Sequence, residues 1–393
     1  MSRLDELIAN LCPNGVKYEL LEKCCTILDN KRKPVTKAAR EAGEYPYYGA
    51  NGIQDYVSDY IFDGTFILVG EDGSVMTSNG NPVVNWAEGK IWVNNHAHIV
   101  EEKEGVLLRY LFHYLQTVNV FDLIHGNIPK LTGRDFRAIK VPVPPLEVQR
   151  EIVRVLDNFM FLTAELTAEL TAELTARRKQ YEYYLDRFFE EQTDNLVPLS
   201  SIGVLTRGKR FVHSDAVDEG VPCIHYGELY THYGTYADKV KSHIREDLRD
   251  RMRYAHKGDV IIVGAGENNV DIGIGVSWEG DEDVAVHDAC YTLSHDQNSR
   301  YISYYLRSRM YHEQIKKYVS AGKICAISAD GIGKSMIPLP SREKQASIVF
   351  MLSRFEALCN NLNVGLPAEI SYRKRQYEYY RNMIISSIGG RLP

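Results

Sequence analysis

Several absences narrow what this 393-residue chain can be. No run of 18 apolar residues occurs, and Met1 to Asn10 carries Arg3, Asp5 and Glu6 without an apolar core. Neither a membrane span nor a secretory signal is expected, and the chain is read as cytoplasmic. The seven cysteines (Cys12, Cys24, Cys25, Cys223, Cys290, Cys325 and Cys359) are odd in number and contain no C-x-x-C pair. They suggest neither a disulfide framework nor a zinc cluster, so reduced thiols are expected. Catalytic signatures are missing too. There is no Walker A pattern, and Gly264-Ala-Gly266 lacks the third glycine of a dinucleotide loop. Asp72, Glu88 and Lys90 have a loosely nuclease-like spacing without a Pro-Asp start. Asn94-Asn-His-Ala-His98 holds two histidines, but shared metal ligation is not expected of them. No cofactor or metal is expected in the chain itself.

What is present is repetition. Leu162 to Ala176 contains three successive Thr-Ala-Glu-Leu units. Ala, Glu and Leu favour helix, and neither Gly nor Pro interrupts them. A four-residue step advances about 400° round a helix, so Leu162, Leu166, Leu170 and Leu174 form a slowly drifting ridge. Each unit adds roughly 6 Å and roughly 40° of rotation. Such a tandem repeat within a rod is a spacer whose copy number sets separation and twist.

A second repetition spans the chain. Arg178-Lys-Gln-Tyr-Glu-Tyr-Tyr184 recurs as Lys374-Arg-Gln-Tyr-Glu-Tyr-Tyr380, a shift of 196 residues. The same shift carries Pro142-Val-Pro-Pro145 onto Pro338-Leu-Pro-Ser341 and Gln149 onto Gln345. It also carries Leu156 onto Leu352 and Phe159 onto Phe355. More loosely, Gly64 to Gly70 resembles Gly258 to Gly264, Leu108 to Leu115 resembles Ser299 to Leu306, and Asn95 to His98 corresponds to His287 to Cys290. The plan is a globular domain over 1–145, a spacer helix over 146–192, a second globular domain over 193–340 and a second helix over 341–393.

Each globular part reads as a mixed α/β (α+β) domain. Expected strands include Phe66 to Val69, Lys90 to Val93, Val260 to Val263 and Ile272 to Ser277. Expected helices cover residues 1–12, Gly105 to Val118 and Asn298 to Val319. Arg245 to Lys257 reads first as an exposed helix face and second as a phosphate contact. The central helix carries a one-sided apolar stripe along a rod of roughly 65 Å. Its counterpart carries a similar stripe, including Leu362, and is expected to break at Val364 to Pro367, with Pro367 in the restarted first turn. The 146–192 segment has 6 Lys+Arg against 10 Asp+Glu, and 341–393 has 8 against 4. Opposite charge favours the two lying together, and antiparallel packing is the economical way to bury both stripes.

Two divergent domains, two like helices and Thr-Ala-Glu-Leu units together resemble the DNA-specificity subunit of a type I restriction-modification enzyme. Within that family the chain is most similar to members whose repeat number tunes the spacing of a split target. The carriers are the duplicated Pro-x-Pro-(Pro/Ser)-x-x-x-Gln motif at 142–149 and 338–345, the Gln-Tyr-Glu-Tyr-Tyr stretches and the repeat. The resemblance implies two target-recognition domains separated by two long antiparallel helices, a coiled-coil-like spacer with pseudo-two-fold duplication. It implies double-stranded DNA as ligand, two DNA methyltransferase subunits using S-adenosylmethionine, and up to two restriction subunits using ATP and Mg. It also implies association with the nucleoid when bound to DNA. The chain itself lacks an adenine methyltransferase motif, since its one Pro-Pro lies in Val143-Pro-Pro-Leu146. A two-domain scaffold for proteins is the rival reading.

Base edges and phosphates are met by cationic and amide side chains. Candidates in the first domain are Lys31, Arg32, Lys33, Asn51, Asn94, Asn95, His96 and Lys130. In the second they are Lys209, Arg210, His225, His287 and Lys323. The basic pairs 31–32 and 209–210 occupy matching places, as do the regions around 48 and 226 and around 96 and 287. Tyr181, Tyr184, Tyr377 and Tyr380, with Tyr183 and Tyr379, are candidate anchors for partner subunits, with helix packing as their alternative use.

Overall fold

A computed structural model describes residues 2–73, 75–191, 195–320, 322, 324–360 and 365–388. The chain forms two compact units, Met1–Glu169 with Ile370–Pro393, and Leu170–Glu369. Each unit therefore takes one globular part together with a portion of each helical segment, so the boundaries fall inside the helices.

In the first unit a six-stranded sheet runs in the order Thr26–Ile27, Ala97–Glu101, Phe62–Gly70, Val84–Val93, Ala42–Gly49, Gly52–Val57. Neighbours are antiparallel except for one parallel pair, where Tyr47 meets Trp92 and Tyr48 meets Val93. The second unit has two five-stranded sheets. One is ordered Gly203–Arg207, Cys290–His295, Val260–Val263, Gly275–Trp278, Tyr236–Ala237. The other is ordered Ala216–Val217, Ser242–Ile244, Val221–Ile224, Val284–Val286, Tyr254–Ala255. It contains the matching parallel pair, Cys223 with Ala285 and Ile224 with Val286. The apolar run Val260 to Val263 is wholly buried, as a strand covered on both faces should be.

The duplicated motif has a structural reason. Gln149 is fully buried; its Oε1 accepts the Leu107 N–H at 2.9 Å and its Nε2 donates to the Pro144 carbonyl at 2.8 Å. Gln345, also buried, accepts the Asn298 N–H at 3.2 Å and donates to the Pro340 carbonyl at 2.9 Å. Tyr110 and Tyr301 each donate a hydroxyl at 2.7 Å, to the carbonyls of Pro142 and Pro338. In both units the same amide and the same phenol fasten a short helix to the proline turn and to the start of the following helix.

The central helix is continuous over Leu146–Glu190. Its buried side chains are confined to Val148–Leu156 at one end and to Leu185 and Phe189 at the other. Leu166, Leu170 and Leu174 are only half-buried, and Leu162 is 59 % exposed. Thr163 and Thr167 donate their hydroxyls to the carbonyls of Phe159 and Thr163, four residues back, at 2.7 and 2.6 Å. Within the first unit Ile385 and Ile388 share a core with Ile152 and Leu156, while Phe159 meets Tyr380 edge-on at 5.5 Å. Within the second, Ile348 and Leu352 share a core with Leu185 and Phe189, while Tyr184 stacks on Phe355 at 5.5 Å. In each case the order is that of an antiparallel pair.

Some elements differ from expectation. Residues 298–319 form two short helices, Ser299–Tyr305 and Arg309–Ile315, because the Ser308 hydroxyl caps the Tyr311 N–H and restarts the chain. The earlier helix is trimmed to Leu108–Leu115, and the strand expected from Ile272 begins at Gly275. The arginine-rich run is a 3₁₀ segment, Glu246–Arg251, followed by a short strand, since Leu248 is drawn into a small core. The second helical segment is divided into Arg342–Asn360 and Leu366–Ile388, with Pro367 in the new first turn. Leu362 and Val364 lie outside the described residues.

Two predictions follow from this packing. Gln149→Ala removes the partner of three backbone groups, the Leu107 N–H and the Gly105 and Pro144 carbonyls, and should lower unfolding free energy by about 3 kcal/mol in a denaturant titration. His113 is buried; its Nε2 lies 2.7 Å from Asp157 Oδ1, and its Nδ1 has no partner. Burial pushes its pKa down to about 4, against about 6.5 in the unfolded chain. The unfolded chain therefore binds the extra proton first. Stability should fall by about 3 kcal/mol as pH drops from about 6.5 to about 4, and His113→Gln should flatten that slope.

Candidate nucleic-acid interface

In each unit a basic segment and the turn beside it, both chosen from sequence, are held on matching backbone frameworks. In the first unit the Lys33 N–H donates to the Val93 carbonyl at 3.4 Å and the Asn94 N–H to the Tyr48 carbonyl at 3.1 Å. In the second unit the Lys209 N–H donates to Val286 at 2.9 Å and the His287 N–H to Ile224 at 3.3 Å. Ladder positions agree: Val69 faces His98 as Val263 faces Cys290. A Cβ at Gly208 would stand 2.3 Å from the carbonyls of Val286 and His287, so only glycine lets the basic segment approach so closely.

On these frameworks the residues have unequal freedom. Lys31 and Lys33 are exposed and make no ion pair with any described residue. Arg32 is different. Its side chain is 11 % exposed, and Nη1 donates to Glu71 Oε2 and to the Ala97 carbonyl, each at 2.6 Å. Its Nε donates to the Asp29 carbonyl at 2.9 Å. This guanidinium is an internal tie between the Glu71 carboxylate and two backbone carbonyls. Asn94 is buried as well; its Oδ1 accepts the His96 N–H at 2.8 Å, so it shapes the turn. Asn95 and Asn51 are exposed, Asn51 at a hairpin tip. The His96 ring is half-exposed with Nδ1 on Asp72, and Lys130 reaches Glu71 at 3.2 Å.

The acids Asp29 and Glu71 were not singled out from sequence, and Asp72 was noted only for its spacing from Glu88 and Lys90. Donor atoms of Asp29, Glu71 and His98 lie within 4.8 Å of one another. Arg32 occupies that cluster, and His98, stacked on Phe136 at 4.3 Å, joins Asp29 at 2.7 Å through Nδ1. Burial opposes the charge on Asp29, but the His98 hydrogen bond and Arg32 hold its carboxyl below the ordinary value.

In the second unit Lys209 and Arg210 are exposed and unpaired among the described residues. His287 accepts the Ala289 N–H at Nδ1 (3.1 Å), which places its hydrogen on Nε2, and that nitrogen donates to the Phe211 carbonyl at 3.1 Å. Both nitrogens are thus engaged, and His287 serves as a support. His225 packs beside it with ring centroids 4.6 Å apart. The His225 backbone N–H donates to the buried Glu228 at 3.0 Å, and its Nδ1 accepts the Gly227 N–H at 3.4 Å. Burial lowers the pKa of both rings, so they favour the neutral form. Lys323 lies outside the described residues.

The helical tyrosines divide in the same manner. Tyr181 packs against the second unit's core, Tyr184 is stacked on Phe355, Tyr377 is half-buried beneath Arg381, and Tyr380 leans on Phe159. Packing within their own units engages Tyr181, Tyr184 and Tyr377, the alternative use expected of them, while Tyr380 keeps an exposed edge. Tyr183 and Tyr379 point to solvent.

Comparison with known proteins bears on the whole chain. The family model for the type I restriction modification DNA specificity domain matches twice, over residues 15–176 and 195–372. A putative type I restriction enzyme specificity subunit of Haemophilus influenzae is 35% identical over 385 residues, covering 94% of this chain and 95% of that one. The EcoR124I/EcoR124II specificity subunit of Escherichia coli is 28% identical over 302 residues, 71% of each chain. Among solved structures, a chain from work on assembly and conformational transition of the type I R-M system has a TM-score of 0.62 at 16% identity, covering 97% of this chain and 99% of that one. The HsdS subunit from Thermoanaerobacter tengcongensis has a TM-score of 0.53 at 15% identity, covering 97% and 98%.

The unequal freedom of neighbouring cations is testable. Arg32→Ala should lower stability by on the order of 3 kcal/mol, because it takes the guanidinium from Glu71, leaving the more exposed Lys130, and removes the side-chain donor to the Ala97 and Asp29 carbonyls. The double variant Lys31→Ala/Lys33→Ala should leave thermal unfolding within the error of wild type.

Proposed function

We propose, because this chain belongs to the type I restriction-modification DNA specificity family, that its two domains read the two halves of one bipartite, asymmetric duplex site. The chain is a DNA-recognition subunit and not itself a catalyst. The observation that carries the finer reading is the pair of matching frameworks. The same backbone hydrogen bonds present Lys33, Asn95 and His96 in one domain and Lys209, Arg210 and His225 in the other. Identical supports with different donors are what two readers of different sequences require. Methylation and cleavage then belong to partners. Two methyltransferase subunits carry S-adenosylmethionine, and up to two restriction subunits carry ATP and Mg. The exposed Tyr183 and Tyr379 are the better candidates for holding them.

The Thr-Ala-Glu-Leu units act as a ruler between the half-sites, as in the subfamily this chain resembles. Supporting this, the repeat lies where the central helix buries no side chain, so a unit can be added or removed without repacking a core.

Selection from random duplexes, using the chain co-expressed with its methyltransferase partner, tests the reading. Two short half-sites with a fixed unread gap are expected, and no enrichment by an intact complex would favour a protein scaffold. Deleting Thr167 to Leu170 should shorten the preferred gap by a base pair or two, since one unit spans roughly 6 Å. Both half-sites should stay unchanged; altered half-sites would sink the ruler.

A further inference from the structure

We propose that Ile128 in the first domain, and Ile324 at the corresponding place in the second, act as apolar wedges that enter the base stack of their half-sites. This rests on the DNA-reading function proposed above. Ile124–His125 pairs with Lys130–Leu131, leaving Gly126-Asn127-Ile128-Pro129 as a four-residue tip. Gly126 turns the chain at φ +88°. Ile128 is 71 % exposed and Ile324 is 63 % exposed. An exposed aliphatic residue is unremarkable alone, but these two are counterparts. Leu131 donates its N–H to the Glu71 carbonyl and Ile327 donates to the Gly264 carbonyl, both at 2.8 Å. Lys130 bridges Asp72 as Ala326 pairs with Ala265.

The paired strands next to each isoleucine stand beside the reading turns. Asp72, which bridges Lys130, also holds the His96 ring. Ala265, which pairs with Ala326, donates its N–H to the Ala289 carbonyl at 2.9 Å, two residues beyond His287.

The surrounding side chains differ: Pro129 corresponds to Cys325 and Lys130 to Ala326, while the isoleucine is common to both. A residue that reads a base should differ between two unlike half-sites. One kept in both fits a task independent of sequence, and prying a base step open with an aliphatic side chain is such a task.

The test uses the assembled complex with its methyltransferase partner and duplexes carrying 2-aminopurine at successive positions other than the methylated adenine. Wild type should raise fluorescence at one step in each half-site. Ile128→Ala should abolish the rise in the first half-site, keep it in the second and weaken binding roughly tenfold; Ile324→Ala should do the reverse. Unchanged fluorescence in both variants overturns the wedge. So does loss of complex assembly without DNA, which would make the isoleucines partner contacts. A wild-type complex that selects no sequence would instead overturn the DNA-reading function itself, a result separable from either of these.

Discussion

Gln149 and Gln345 are wholly shielded from solvent, yet each fixes where a helix leaves its domain. A primary amide offers an acceptor and two donors on one short plane. That suits the gap between a helix start and a proline turn, where backbone N–H and C=O groups would otherwise be buried unpaired. Because the same bonds recur in both units, each reading surface is built on a sheet whose link to its helix is the same. The divergent side chains are thereby carried on a common scaffold.

Electrostatics follow from this economy. The chain is acidic overall, at −6, so attraction for a polyanion must come from local placement. Acids beneath the first domain's turn hold Arg32, His96 and Lys130 in place. Lys31, Lys33, Lys209 and Arg210 lie exposed, with no ion pair to any described residue. A modest set of free cations suits a subunit that works with partners, since each phosphate contact adds to non-specific and salt-dependent binding.

The spacer obeys a different constraint. A helix with a deep core cannot change length without losing packing. Over its middle the central helix buries no side chain, and its threonines satisfy their hydroxyls on their own backbone. Helical propensity and a half-covered leucine ridge hold it instead, and both are properties of a unit that survive a change in the number of units.

The duplication, the continuous rod and the break before Pro367 were all legible in the amino-acid order. Each is a local pattern or a self-comparison. The backbone bonds, by contrast, match Lys209 with Lys33 and not with Lys31. The short helices after Asn298 were not legible, because one serine cap outweighed a helical periodicity. Nor did the order of residues reveal that Arg32 is tied down while Lys31 and Lys33 are free. That distinction depends on Glu71, 39 positions away, and on a carbonyl at Ala97. Sequence determined which residue types stand at the reading turns. Tertiary structure alone decided which remain available to a ligand, because ion pairing and burial depend on neighbours that only folding brings within reach.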